Sequence, residues 1–185
     1  MTDSVRLLAF CGSLRKGSYN AAALRAAEEL APAGVTMETA DFRDLPLYDA
    51  DSQAQGFPPG VLRLEAQIRA ADALLFATPE YNYSVPGALK NAIDWISRLK
   101  DQPFAGKAAG IIGASGGPVG TARAQYHLRQ IGVFLDLRFL NKPEVMIGAA
   151  QDRFDAEGRL TDAKTREFLG KFMLALRDWA LTHKR

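Results

Sequence analysis

Three short segments of this 185-residue chain concentrate the residue types that do chemistry. The first is Gly12-Ser-Leu-Arg-Lys-Gly-Ser-Tyr-Asn20, which follows an apolar run beginning at Val5 and leads into strong helix formers from Ala21 onward. Gly12 permits a tight turn, Ser13 and Ser18 bring hydroxyls, and Arg15 and Lys16 bring cations. A loop of this kind that opens a helix suits an anion. The first-turn N–H groups have no partner within the helix, and the positive end of its dipole points into the loop. Arg15 adds a planar donor that matches phosphate oxygens. The segment contains neither the Walker pattern nor the dinucleotide glycine fingerprint, so a mononucleotide phosphate suits it better than a pyrophosphate. The plainer alternative is a strand-loop-helix corner in which Ser18 or Asn20 only caps the helix.

The second segment, Pro79-Glu-Tyr-Asn-Tyr-Ser-Val-Pro86, sets two aromatic residues, an amide and a carboxylate between two prolines. Proline stiffens the loop, and Tyr81 and Tyr83 offer flat faces with polar tips, so the loop suits a flat heteroaromatic ring whose edge Asn82 could hydrogen-bond. The competing view is that both tyrosines cover the start of the next helix. The third segment, Ala114-Ser-Gly-Gly-Pro-Val-Gly120, allows backbone to approach a ligand closely and adds the Ser115 hydroxyl; by itself it reads as a plain glycine-rich turn.

The elements that must carry these loops alternate. Short apolar runs at residues 5–11, 35–40, 73–78, 108–113 and 144–148 predict strands. Helical patterns fill 20–31, 59–71, 85–99, 121–132 and 161–182, and 42–60 reads as a long loop. Such alternation predicts an α/β fold with a parallel sheet covered on both faces. In sheets of that kind ligands sit beyond the carboxyl ends of the strands, where all three segments fall.

Length limits the chain to one domain, 1–185. The net charge of +2 is spread along the chain and argues against nucleic acid. Apolar runs are too short to span a bilayer and the N-terminus has no signal-peptide pattern, so a cytoplasmic protein is expected. The single cysteine, Cys11, excludes an internal disulfide and offers no metal cluster; a buried thiol is expected there.

With the three segments in view, the chain resembles the NADPH-dependent FMN reductase family of flavodoxin-like proteins, and most closely its bacterial chromate and quinone reductases. The first segment looks like the family's FMN phosphate loop, Thr78-Pro-Glu-Tyr-Asn-Tyr-Ser-Val-Pro-Gly87 like its ring loop, and Lys90-Asn-Ala-Ile-Asp-Trp95 like the helix that follows. Similarity extends through Leu47-Tyr-Asp-Ala-Asp51, Gln125-Tyr-His-Leu-Arg-Gln130 and Asn141-Lys-Pro-Glu144. The resemblance implies a three-layer sandwich around a five-stranded parallel sheet of order 2-1-3-4-5. It places FMN against Ser13, Arg15, Ser18, Tyr19 and Asn20 at the phosphate and against Pro79, Glu80, Tyr81, Asn82 and Tyr83 at the ring. Ser115, Gly116 and Gly117 lie on the ring's other side.

The same resemblance implies NADPH or NADH as hydride donor, quinones as acceptors with chromate among further small acceptors, and donor departing before acceptor binds. It implies no catalytic side chain beyond the flavin, no metal, and a homodimer or homotetramer with Arg98, Tyr126 and Glu144 at the interface. Pro118 departs from the family pattern. A flavodoxin-like one-electron carrier is the rival reading, disfavoured because no acidic run surrounds the loops; a non-catalytic FMN-binding module is a third.

Overall fold

The computed structural model describes residues 4–184. Apolar alternation along the first strand, β1 (Val5–Cys11), sorts the whole core. Val5, Leu7 and Ala9 point into one hydrophobic cluster, while Leu8 and Phe10 point into the other, as a two-residue strand period requires. The third strand, β3 (Ala73–Ala77), and the fourth, β4 (Ala108–Ala114), divide the same way: Leu75 and Ile112 to one side, Leu74, Phe76 and Ile111 to the other. Both strands are buried along their whole length, as central strands covered on two faces should be.

The helices complete the layers. On one face lie α1 (Tyr19–Glu29) and the long C-terminal α6 (Ala163–His183). Alanines 22, 23, 26 and 27 let α1 pack closely, and Leu169, Phe172, Met173 and Leu176 fill the space under α6. The other face is covered by α3 (Pro59–Ala70), α4 (Gly87–Ile96) and, through Leu128, α5 (Ala122–Phe134). The spacing of Leu89, Ile93 and Ile96 puts them on the buried face of α4.

With β2 (Val35–Ala40) at one edge, the sheet runs β2-β1-β3-β4-β5, all parallel, which is the flavodoxin-like order. The far edge differs from the expectation of one strand over 144–148. Two short segments, β5 (Arg138–Phe139) and β6 (Val145–Ile147), share the position beside β4. Pro143 lies between them, and a residue without an N–H cannot extend the ladder.

The expected loop at 42–60 also holds a short helix, α2 (Ala50–Ala54), capped by the Asp49 side chain. The segment is pinned to α4: Asn91 Nδ2 and Trp95 Nε1 each donate to the Pro46 carbonyl at 2.8 Å, and the Tyr48 ring meets Trp95 edge-on. Among the described residues no helix is long and apolar enough to cross a membrane.

At Gly113 on β4, a Cβ would collide with Thr121 Oγ1 and stand 2.7 Å from the Thr78 carbonyl oxygen. Substitution Gly113→Ala should therefore lower stability by about 2 kcal/mol through overpacking, measured as a fall in urea midpoint at unchanged slope.

Candidate functional site

The first segment leaves β1 at Gly12, whose N–H donates to the Ala77 carbonyl at 2.8 Å. A Cβ here would lie 3.0 Å from both Pro79 Cδ and Pro86 Cγ, so the two prolines of the second loop rest directly on this glycine. Ser18 caps α1, its hydroxyl oxygen accepting from the N–H groups of Asn20 and Ala21 at 3.2 and 3.3 Å. Ser13 and Ser18 are buried, whereas Arg15 and Lys16 are exposed and the Arg15 guanidinium stands 5.7 Å from the Tyr19 ring centre. Across residues 14–19 no backbone N–H donates to another group among the described residues. That is an uninterrupted arc of unpaired donors, flanked by two hydroxyls and two cations, at the positive end of a helix.

Asn20 behaves differently from its neighbours. Its amide turns inward, is 2% exposed, donates to the Ala114 carbonyl and accepts from the Ala114 N–H, both at 2.9 Å. The side chain expected at the phosphate thus ties α1 to the end of β4. Cys11 is half-buried and its thiol donates to the Ser13 carbonyl at 3.3 Å; burial pushes the thiol pKa up despite the lowering influence of Ser13 and Ser18, which keeps it protonated and poorly nucleophilic at neutral pH.

The second loop is built on a tight turn in which Tyr81 and Ser84 exchange both backbone hydrogen bonds, at 3.0 and 3.1 Å. Its two central residues have positive φ, 51° at Asn82 and 68° at Tyr83, a left-handed conformation that is costly for an aromatic residue and recurs at functional sites. The turn thrusts Tyr81, Asn82 and Tyr83 into solvent. Tyr81 Oη comes within 3.5 Å of Ser13 Oγ, which brings the first two loops together although the contact is too long for a strong hydrogen bond.

Glu80 points away from the turn. Its side chain is 9% exposed and binds the Arg123 guanidinium at 2.8 Å. It also accepts the backbone N–H groups of Arg123 and Ala124 at 3.0 and 3.2 Å. Thr121, at the N-cap position of α5, makes no side-chain cap, so Glu80 serves that function from another loop. Burial alone would raise its carboxyl; the Arg123 guanidinium and the two backbone donors outweigh burial and hold it below the ordinary value of 4.5.

Arg123 then lies over the Tyr83 ring, 3.8 Å from its centre. Sequence reasoning passed over Arg123. The available signal was a cation in the first turn of a helix, where the dipole disfavours positive charge unless an acid is brought in from elsewhere.

The third loop is braced from the sheet edge. The Ser115 N–H donates to the Ile147 carbonyl, the Ser115 hydroxyl to the Gly120 carbonyl, and the Ala149 N–H to the Gly117 carbonyl. Gly116, Gly117 and Pro118 are exposed, and a Cβ at Gly148 would collide with the Pro118 carbonyl, so this proline is seated against the end of β6.

Of the expected interface residues, Tyr126 is exposed on α5 and has Glu144 beside its hydroxyl, which raises the Tyr126 pKa. Arg98 lies elsewhere, its guanidinium 5.5 Å from the centre of the Tyr48 ring. Trp95 is fully buried, Phe134 is 78% exposed, and His127 Nδ1 is 3.0 Å from Ser84 Oγ. A hollow of about 200 Å³ adjoins the first loop beside Cys11, Ser13, Asp41 and Arg43. The larger cleft, about 420 Å³, lies outside the three loops between β6 and α6, where Arg153 and Asp162 already neutralise each other at 2.7 Å.

Residues 5–152 match the NADPH-dependent FMN reductase family. The chain is 61% identical over 179 residues to an NAD(P)H-dependent FMN reductase of Pseudomonas aeruginosa, covering 97% of each chain. It is 50% identical over 172 residues to a quinone reductase of Escherichia coli, covering 91% of this chain and 92% of that one. Among solved structures, a flavoenzyme NAD(P)H:(acceptor) oxidoreductase of Paracoccus denitrificans superposes with a TM-score of 0.90 at 37% identity. That match spans 98% of this chain and all of the other.

Two substitutions separate the tie-points from the exposed loop residues. Asn20→Ala leaves both backbone groups of Ala114 unpaired and should cost about 2–3 kcal/mol in urea unfolding. Glu80→Gln should remove one source of acid sensitivity. The folded-state pKa of Glu80 lies below its ordinary 4.5, so its stabilisation is complete above that pH and is lost as the pH falls through the depressed value. Unfolding curves of wild type and Glu80→Gln should therefore differ most at neutral pH and converge on acidification.

Proposed function

The chain belongs to the NADPH-dependent FMN reductase family, a family of oxidoreductases, and on that premise we propose that it carries reducing equivalents from NAD(P)H through bound FMN to quinones. The observation that carries this reading is the arc of unpaired N–H groups at residues 14–19, which meets a two-tyrosine turn across Gly12 and the Tyr81–Ser13 contact. One end of the edge is thus equipped for a phosphate and the other for a flat ring, the two halves of a flavin mononucleotide.

In this proposal the loop N–H groups, the Ser13 hydroxyl and Arg15 hold the phosphate, and Ser18 and Tyr19 shape the loop by capping and flanking α1. Asn20 contributes by keeping the third loop in place, so that Ser115, Gly116 and Gly117 bound the other side of the ring. Pro79, Tyr81, Asn82 and Tyr83 position the ring, and Glu80 acts through Arg123 to hold the turn. Bound FMN would supply the redox chemistry, taking up a hydride from NAD(P)H and delivering two electrons that, with the hydride's proton and one more, would convert a quinone to a hydroquinone. No side chain of the three loops need act as a general acid or base, and the protein contributes position and donors.

In this proposal the donor leaves before the acceptor binds. Chromate is a further acceptor in this reading, and the chain acts as one FMN-binding unit over 1–185 in the cytoplasm. It assembles as a homodimer or homotetramer in which Tyr126, Glu144 and Arg98 lie at the contacts; the exposed Val133 and Phe134 on the same helix as Tyr126 support an apolar interface there.

The test is anaerobic. FMN-loaded protein mixed with NADPH or NADH should lose its oxidised flavin absorbance and regain it when a benzoquinone is added. Absence of bleaching by either donor overturns the reductase reading in favour of a binding module. Arg15→Ala should weaken FMN binding by about tenfold to a hundredfold, read by fluorescence of released flavin, with the thermal melt of the unloaded protein little changed.

A further inference from the structure

The three loops occupy the carboxyl ends of the strands; a second collection of charge lies at the opposite, amino ends. Arg6 near the start of β1, Asp72 just before β3 and Lys107 just before β4 converge there. They meet Arg69 from α3 and His183 and Lys184 from the end of α6. Together they line a predominantly polar cleft of about 200 Å³.

Among the described residues the charges in this cleft do not balance. Among the described residues Asp72 is the only acid lining it, and it is engaged by the Arg6 backbone N–H at 2.8 Å, the Arg6 guanidinium at 3.8 Å and Lys184 Nζ at 3.3 Å. Arg69 is answered from outside the cleft by Glu65, at 2.8 Å, and by the Lys100 carbonyl. Lys107 has no carboxylate within ion-pair distance among the described residues. Its ammonium donates to the Ala71 carbonyl at 2.7 Å, and its remaining N–H bonds have no protein acceptor among the described residues. Burial holds the Lys107 ammonium below its ordinary pKa; the Asp72 carboxylate works against that fall, and Arg69 and Arg6 add to it. A bound anion would relieve both effects. His183 turns Nδ1 to the Trp179 carbonyl at 2.8 Å, which leaves Nε2 without a protein partner among the described residues.

We propose that this cleft is a second anion site, remote from the three loops, that takes a small multiply charged oxyanion of the diphosphate class through Arg6, Lys107 and Lys184. Its geometry differs from that of the first loop: side-chain cations surround it, whereas backbone N–H groups dominate the loop. The two sites are separated by the length of the sheet, because β1, β3 and β4 each run from one to the other.

Calorimetric titration of inorganic pyrophosphate into FMN-loaded protein tests the proposal, with the salt concentration held fixed. One saturable binding event is expected. Lys107→Gln and Arg6→Gln should each raise its Kd by about tenfold or more, while leaving FMN content and NADPH-driven quinone reduction unchanged. Lys171→Gln, which removes an exposed cation paired with Glu167 on α6, should leave the Kd unaltered. Arg6 has a 65% exposed side chain, so its replacement keeps the test meaningful if the Lys107 variant melts early. The proposal is overturned by any of three results: no saturable heat, equal Kd in wild type and both cleft variants, or an equal loss in Lys171→Gln.

Discussion

The candidate site depends on one pair of hydrogen bonds, those between the Asn20 amide and the backbone of Ala114. The β3–β4 ladder explains why they exist. Ala77 pairs with Ile112 and the Thr78 N–H still reaches the Ile112 carbonyl, but at Pro79 the chain turns away. Continuing the ladder would have satisfied Ala114 from residues 78 and 80. Asn20 supplies the missing donor and acceptor in their place. A buried peptide group cannot be left unpaired without a cost of kilocalories, so the sheet can open here only because a side chain from α1 closes it. The gap between β3 and β4 is where the second and third loops separate.

A similar substitution operates one layer out. α5 begins without a side-chain cap of its own and with Arg123 in its first turn, an unfavourable sign for the helix dipole. Glu80 answers both defects at once, and Arg123 passes the constraint on to Tyr83. The strained turn at Asn82 and Tyr83 is therefore held from two sides: the prolines packed on Gly12 and the cation stacked on the ring. Rigid support of this kind is what allows an exposed aromatic loop to hold a ring in one place instead of sampling many.

The sheet thus separates two electrostatic environments. Its carboxyl end offers backbone donors and exposed cations, and its amino end gathers side-chain cations around Asp72. The layers between are apolar throughout, with Leu74, Leu75, Phe76, Ile111 and Ile112 fully buried or nearly so.

Much of this was legible in the order of residues. The strand alternation, the helix spacing and the position of three polar loops after three apolar runs all follow from local periodicity and turn chemistry, which need no partner to be read. The loop chemistry was legible for the same reason: hydroxyls and cations before a helix start are a local pattern. Tertiary structure alone decided which of those side chains face outward. Asn20 and Glu80 look like ligand groups by type and spacing, yet their partners, Ala114 and Arg123, lie 94 and 43 residues away. Arg123, the split edge strand and the convergence of Arg6, Lys107 and Lys184 were equally hidden. Each depends on contacts between segments distant in the chain, and only the closing of the sheet brings those segments together.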